Sequence, residues 1–164
     1  MIEIVKAKPS DASALANASE RAFHSDIHCG APSIGGPPGY DSAAWQSRMM
    51  RAGDYYKVVA DGRIVGGMII FRPGPRHYEL GRIFVAPDFQ NQGIGTQAME
   101  FLWSAYPLAK RWSLGTPAWN VRTRHFYKKV GFVETGEDRQ GGILLERSIA
   151  AASPDPQTSA SRTE

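Results

Sequence analysis

Ile83-Phe84-Val85-Ala86-Pro87-Asp88-Phe89-Gln90-Asn91-Gln92-Gly93-Ile94-Gly95-Thr96 is the stretch on which the fold turns. An apolar run reads as the end of a strand, Pro87 stops it, and two glycines precede a helical pattern over residues 95–106. In that pattern Ala98, Met99, Leu102 and Ala105 are spaced for one buried face. The first turn of any helix carries N–H groups without internal partners, and the macrodipole makes that end positive. Glycines let a phosphate come close to the backbone, so the combination reads as a diphosphate site. A Gly-Lys-Ser/Thr ending is missing, which excludes a Walker-type loop. Ala98 stands where the third glycine of a dinucleotide fingerprint would fall, which excludes that motif as well. A plain strand–loop–helix turn needs the same residue types, and the loop alone does not separate the two readings.

Upstream, Asp61-Gly62 between residues 56–60 and 63–71 is a hairpin signal. A strand over residues 78–85 follows. A first strand fits residues 2–6, and Pro9-Ser10-Asp11 opens a helix that runs to about residue 23. Residues 28–40 hold Pro32, Pro37 and Pro38 among several glycines and read as a loop. Residues 41–51 form a second helix, capped by Asp41 or Ser42. Downstream come a short strand over 111–114, a helix over 120–129 closed by Gly131, and a last strand over 143–149. The hairpin is antiparallel, and strand–helix–strand crossovers in the second half imply parallel pairing. The reading is α/β: a mixed central sheet with helices on both faces, one domain over residues 1–149. Residues 150–164, small and polar with nothing to bury, read as a disordered tail.

Composition narrows the class. A hydrophobic fraction of 42% and a charged fraction of 21% over 164 residues suit one soluble domain. The net charge of +3 is not gathered into a block; Arg122, Arg124, Lys128 and Lys129 are scattered among apolar residues, which argues against a nucleic-acid partner. Cys29 is the lone cysteine, so neither an intrachain disulfide nor a cysteine metal cluster is available. The N-terminus has no signal-peptide pattern, and the longest apolar run, residues 64–71, is too short for a bilayer. The expectation is a reduced, cytoplasmic protein with no membrane partner.

Two blocks then share a resemblance. Gln90-x-x-Gly93-x-Gly95, preceded by Ile83-x-Val85-x-Pro87, resembles the acetyl-CoA loop of the GNAT family of N-acetyltransferases. Asn120-x-x-x-x-x-Phe126-Tyr127-x-x-x-Gly131-Phe132 resembles that family's later motif, in the right order and at a fitting separation. The likeness runs from about Tyr56 to Phe132 and is looser over the first two helices. It implies an acyl-CoA N-acyltransferase fold, whose mostly antiparallel sheet contains a parallel strand pair that splays apart, here residues 79–85 and 111–114. Pantetheine amides then pair with the exposed strand groups like an inserted strand.

The resemblance also implies roles. Backbone N–H groups of Gln90, Asn91, Gln92, Gly93, Ile94, Gly95 and Thr96 would hold the diphosphate of acetyl-CoA, the co-substrate. The main chain at Phe84 and Val85 would meet pantetheine, and a backbone N–H near Val85 would steady the oxyanion. Asn120 would hydrogen-bond the ligand while capping its helix. Tyr127 matches the general acid that protonates the departing thiolate. For the base that takes the acceptor's proton, Glu79, His77 or water are the alternatives, with Glu79 the named candidate. No metal is called for, and a homodimer is compatible with the family.

The resemblance also implies that the acceptor side is formed by the first two helices and their connection, here including residues 29–40. Asp26, Asp41 and Glu79 are the acids on offer to a cationic amine; Tyr40, Trp45 and Tyr78 are the aromatic contacts. Trp112 and Trp119 read as core. The expectation is an enzyme acetylating a primary amine of a small molecule by direct transfer. The alternatives are a peptide or protein amine as acceptor, or a non-catalytic acetyl-CoA sensor.

Overall fold

The computed structural model describes residues 1–149; the tail assigned to residues 150–164 lies outside them. One seven-stranded sheet runs through the molecule in the order β1-β2-β3-β4-β5-β7-β6. The strands are β1 Ile2–Lys6, β2 Asp54–Ala60, β3 Arg63–Gly74, β4 His77–Val85, β5 Arg111–Thr116, β6 Val133–Glu137 and β7 Ile143–Ser148. The helices are α1 Ala12–His24, α2 Ala43–Ala52, α3 Ile94–Ala105 and α4 Val121–Lys129.

Local chemistry sets these boundaries. Asp61 and Gly62 both have positive φ, at 49° and 79°, which matches the twist of the β2–β3 ribbon. Ser42 caps α2 by accepting the Trp45 N–H at 3.1 Å. Gly131, at φ 103°, leads the chain out of α4. β3 is buried without a break from Val65 to Ile70, because helices cover both faces there. Leu80, Met68, Ile70, Trp112, Leu114 and Leu145 pack under α3, together with Tyr127 of α4. Tyr55, Ile69 and Phe84 pack on the other face under α1.

Two differences from the sequence reading stand out. The crossover through α3 gives one parallel pair, β4–β5, whereas α4 leads into β6, an edge strand separated from β5 by β7. β6 itself has only Glu134 half-buried among exposed residues, and carries no apolar alternation to announce it.

The parallel pair is short. His77 faces Arg111, Tyr78 faces Trp112 and Glu79 faces Ser113; beyond that β4 has no β5 partner. β5 continues to Thr116 on β7 instead. A bulge in β4 at Gly81, between the Ile70–Leu80 and Ile69–Arg82 pairs, bends the strand just after the last parallel pair. The sheet therefore opens into a wedge between residues 80–85 and 114–116.

Candidate active site

The wedge is walled by strand edges. Ala86 N–H donates to Val65 O at 2.7 Å, so by strand alternation the Val85 amide and carbonyl face the wedge. Phe84 is one residue out of phase: its main chain turns to β3, and its ring is buried against α1. Of the two residues assigned to pantetheine, Val85 is placed to meet a ligand in the wedge, and Phe84 supports the wall from behind.

At the wide end lies the loop. A 3-10 turn, Pro87–Phe89, is closed by Gln90 N–H donating to Pro87 O at 3.2 Å. The Gln90 amide is thus engaged within the loop, and its side chain acts as a staple. Nε2 donates to Val85 O at 2.8 Å and to Ser25 Oγ at 3.4 Å, while Oε1 accepts from Arg122 Nη1 at 3.2 Å. Asn91 (φ 60°) and Gly93 (φ 80°) take left-handed conformations that turn the chain into α3. The first intrahelical bond there is Gln97 N–H to Gly93 O, so the amides of Ile94, Gly95 and Thr96 have no partner inside the helix. Gln92 folds back on the loop through Nε2 to Asp88 O at 2.9 Å. The two glycines differ in purpose. A Cβ at Gly93 would meet open space, and its φ is the constraint; a Cβ at Gly95 would come within 3.1 Å of the Phe126 ring, so Gly95 lets α3 and α4 pack closely.

The far wall is the start of α4. Asn120 is buried, at 4% exposure, and its Oδ1 accepts the Thr123 N–H at 3.2 Å. Its NH2 group has no partner among the described residues. Tyr127, two turns on, is 6% exposed and packed between Phe126 and Phe132. Burial pushes its phenol well above the usual tyrosine range, and its hydroxyl finds no hydrogen-bond partner among the described residues.

Glu79 and His77 share the sheet face covered by α1 and α2. His77 Nε2 and Ser113 Oγ share a hydrogen bond of 2.7 Å, which ties that imidazole to β5. Glu79 is half-buried at the last parallel pair, with no hydrogen-bond partner among the described residues. Burial raises Asp26 above the usual carboxylate range, with Arg122 opposing the shift. Asp41 is exposed.

The aromatic contacts fall out differently from the reading. Tyr78 belongs to the opposite face, stacked with Tyr106 and Trp112. Tyr40 is bonded to His24 Nε2 at 2.8 Å. The Trp45 face is covered by the Arg82 guanidinium at 4.1 Å. Trp112 is fully buried, as read, and Trp119 is half-buried.

Arg82 is the residue that the reading missed. It interrupts an otherwise apolar strand end, Leu80 to Val85, and that interruption was its only signal. Its Nη1 donates to Pro38 O at 3.0 Å, which pins the Pro/Gly loop to β4. Gln46, fully buried, holds the same loop by donating to Gly39 O (3.2 Å) and Tyr40 O (3.4 Å) while accepting from Tyr55 Oη at 2.5 Å.

The overall fold is shared with solved proteins. The PaiA N-acetyltransferase of Thermoplasma acidophilum, in complex with coenzyme A, superposes with a TM-score of 0.79 at 16% identity, over 91% of this chain and 99% of that one. The ribosomal-protein-S18-alanine N-acetyltransferase of Escherichia coli gives 0.72 at 18% identity, over 94% and 98%. The fold is that of the acyl-CoA N-acyltransferases. A sequence model described as the acetyltransferase (GNAT) family matches residues 20–132. The chain belongs to the acetyltransferase (GNAT) family. Among curated relatives, YrkN of Bacillus subtilis (strain 168), an uncharacterized protein, is 33% identical over 79 residues, 47% of this chain and 43% of that protein. An uncharacterized N-acetyltransferase in the pepI 3′ region of Lactobacillus delbrueckii subsp. lactis is 26% identical over 114 residues, 58% of this chain and 64% of its own length. The chain thus spans less than two thirds of these curated relatives. Among the described residues no helix is long and apolar enough to cross a membrane.

Proposed function

We propose that this protein transfers an acetyl group from acetyl-CoA directly to a primary amine of a small molecule, in the cytoplasm. The observation that carries the reading is the wedge itself. β4 loses its partner after Glu79, and a buried, protonated phenol, Tyr127, stands on the helix that walls the gap. The Val85 N–H, left without a strand partner while Gln90 holds the Val85 carbonyl, suits a carbonyl of an extended arm, and the amides of Ile94, Gly95 and Thr96 suit a diphosphate.

Acetyl-CoA supplies the acyl group as a thioester. Glu79 is the carboxylate on the acceptor side and takes the proton that the amine must lose. The Val85 N–H offers a dipole to the carbonyl oxygen. As the new C–N bond forms and the C–S bond breaks, Tyr127 passes its proton to the leaving sulfur, and the second proton that the nitrogen sheds on becoming an amide restores the phenol through solvent. Asn120 orients the ligand through its free NH2. A small acceptor is favoured because the Pro/Gly loop is not loose: Arg82 and Gln46 fasten it against the sheet, which closes the side where an open peptide groove would lie.

Calorimetry with CoA, followed by a broad amine panel read by thiol release, tests the proposal. CoA binding with turnover on small amines is the expected result, and Tyr127→Phe should lower kcat by about 10²–10⁴-fold while CoA still binds. Binding with no turnover on any amine, and no effect of Tyr127→Phe, would instead mark a sensor.

A further inference from the structure

Arg82 lies on the same sheet face as Glu79. Leu80 pairs with Ile70 in the core under α3, whereas Arg82 pairs with Ile69 in the core under α1, and the bulge at Gly81 restores Arg82 to the Glu79 side. A Cβ at Gly81 would lie 2.4 Å from the Phe71 ring, so that ring covers the bulge between the two charges. Neither charge is answered by another charge among the described residues. Among the described residues no ion pair includes Glu79 or Arg82. Arg82 spends one N–H on Pro38 O and rests its plane on Trp45, leaving other donors of its fork uncommitted. Burial lowers its pKa without removing its charge, since a guanidinium stays protonated at neutral pH. A half-buried guanidinium without a counter-ion is costly to hold unless an anion completes it.

We propose that the acceptor is a zwitterion, an α-amino acid or a comparably compact amine bearing an acid group, with its carboxylate on Arg82 and its amine at Glu79. The fork of Arg82 matches a carboxylate bidentately, and Trp45 fixes the plane of that fork. Phe71 offers an apolar floor to the substituent between the two ends. This inference rests on the acetyltransfer reading and narrows its acceptor.

The test compares matched sets: a free amino acid, its carboxamide and the decarboxylated amine, for small, branched and aromatic side chains. The acid should exceed the carboxamide in kcat/KM by about tenfold or more. Arg82→Gln should bring that ratio close to one, and Arg82→Lys should keep part of it, because an ammonium supplies charge without the fork. Calorimetry of the same ligands, with the free protein and with the protein saturated in CoA, should give the same ordering without turnover. Melting curves report whether each variant folds, and the within-variant ratio cancels a general loss of activity. Should Arg82→Gln not fold, the Arg82→Lys ratio decides. Carboxamides or decarboxylated amines that match the acids, a ratio indifferent to residue 82, or no amino acid binding in either state would overturn the proposal. Absence of heat with CoA alone would strike the acetyl-CoA reading, while amino-acid binding to the free protein still decides this one.

Discussion

At the scale of single residues, the two loop glycines show how one motif serves two purposes. Gly93 is required for its backbone, at φ 80° with open space around it. Gly93→Ala should therefore lower stability by about 1–2 kcal/mol in urea unfolding, the cost of a left-handed alanine, with no clash to relieve. Gly95 is required for space, because the Phe126 ring sits where a side chain would go. The spacing of the glycines was legible in the sequence, whereas the division between them was not, since φ and the approach of α4 arise only in the folded chain. Tyr127 was named by its motif, but its lack of a hydrogen-bond partner and its burial are tertiary facts. Arg82 was passed over because a lone arginine in a strand looks like a solvated residue until Trp45 and Pro38 are brought to it.

At the scale of elements, two ties carry testable weight. β6 is an exposed edge strand, and Glu134 fastens it to α4 by accepting from Arg124 Nε at 2.7 Å and lying 3.2 Å from Lys128 Nζ. Hydrogen bonds from Arg124 and Lys128 hold Glu134 down to about 2, against an ordinary value of 4.5. A depressed carboxylate contributes stability above its unfolded pKa, and the contribution is lost as pH falls through the folded value. The urea midpoint should drop between about pH 4.5 and 2, and Glu134→Gln should flatten that part of the curve. The pair is solvent-screened, so the effect is modest. The second tie is Gln46. Gln46→Leu strands the Tyr55 hydroxyl and two loop carbonyls, and should cost about 1–3 kcal/mol in urea unfolding. Helices and hairpin were readable from caps, the Asp-Gly turn and apolar spacing. β6 was not, because an edge strand stabilised by charge has no apolar period to betray it.

At the scale of the whole molecule, the order of elements and the single crossover through α3 produce the wedge. The sequence reading located it correctly between β4 and β5, although on resemblance and not on pattern, because no local signal says where a parallel pair stops. The wedge also makes a prediction for the ligand-free protein. The Val85 amide, facing no strand partner, should exchange its hydrogen quickly and become protected when CoA is added. Val65 and Ile70, within β3, should be slow in both states, and a Val85 amide already protected without CoA would contradict the geometry.

Along the sheet, the β1–β4 part meets the β5–β7–β6 part through three strand pairs, His77–Arg111, Tyr78–Trp112 and Glu79–Ser113, while the core under α3 packs across both. The two halves are thus plates sharing a short spine at one end. On the proposed function, an extended molecule lodged in the wedge would act as a removable strand between them. Loading and release of such a guest would then add and remove hydrogen bonds across the open end of the sheet.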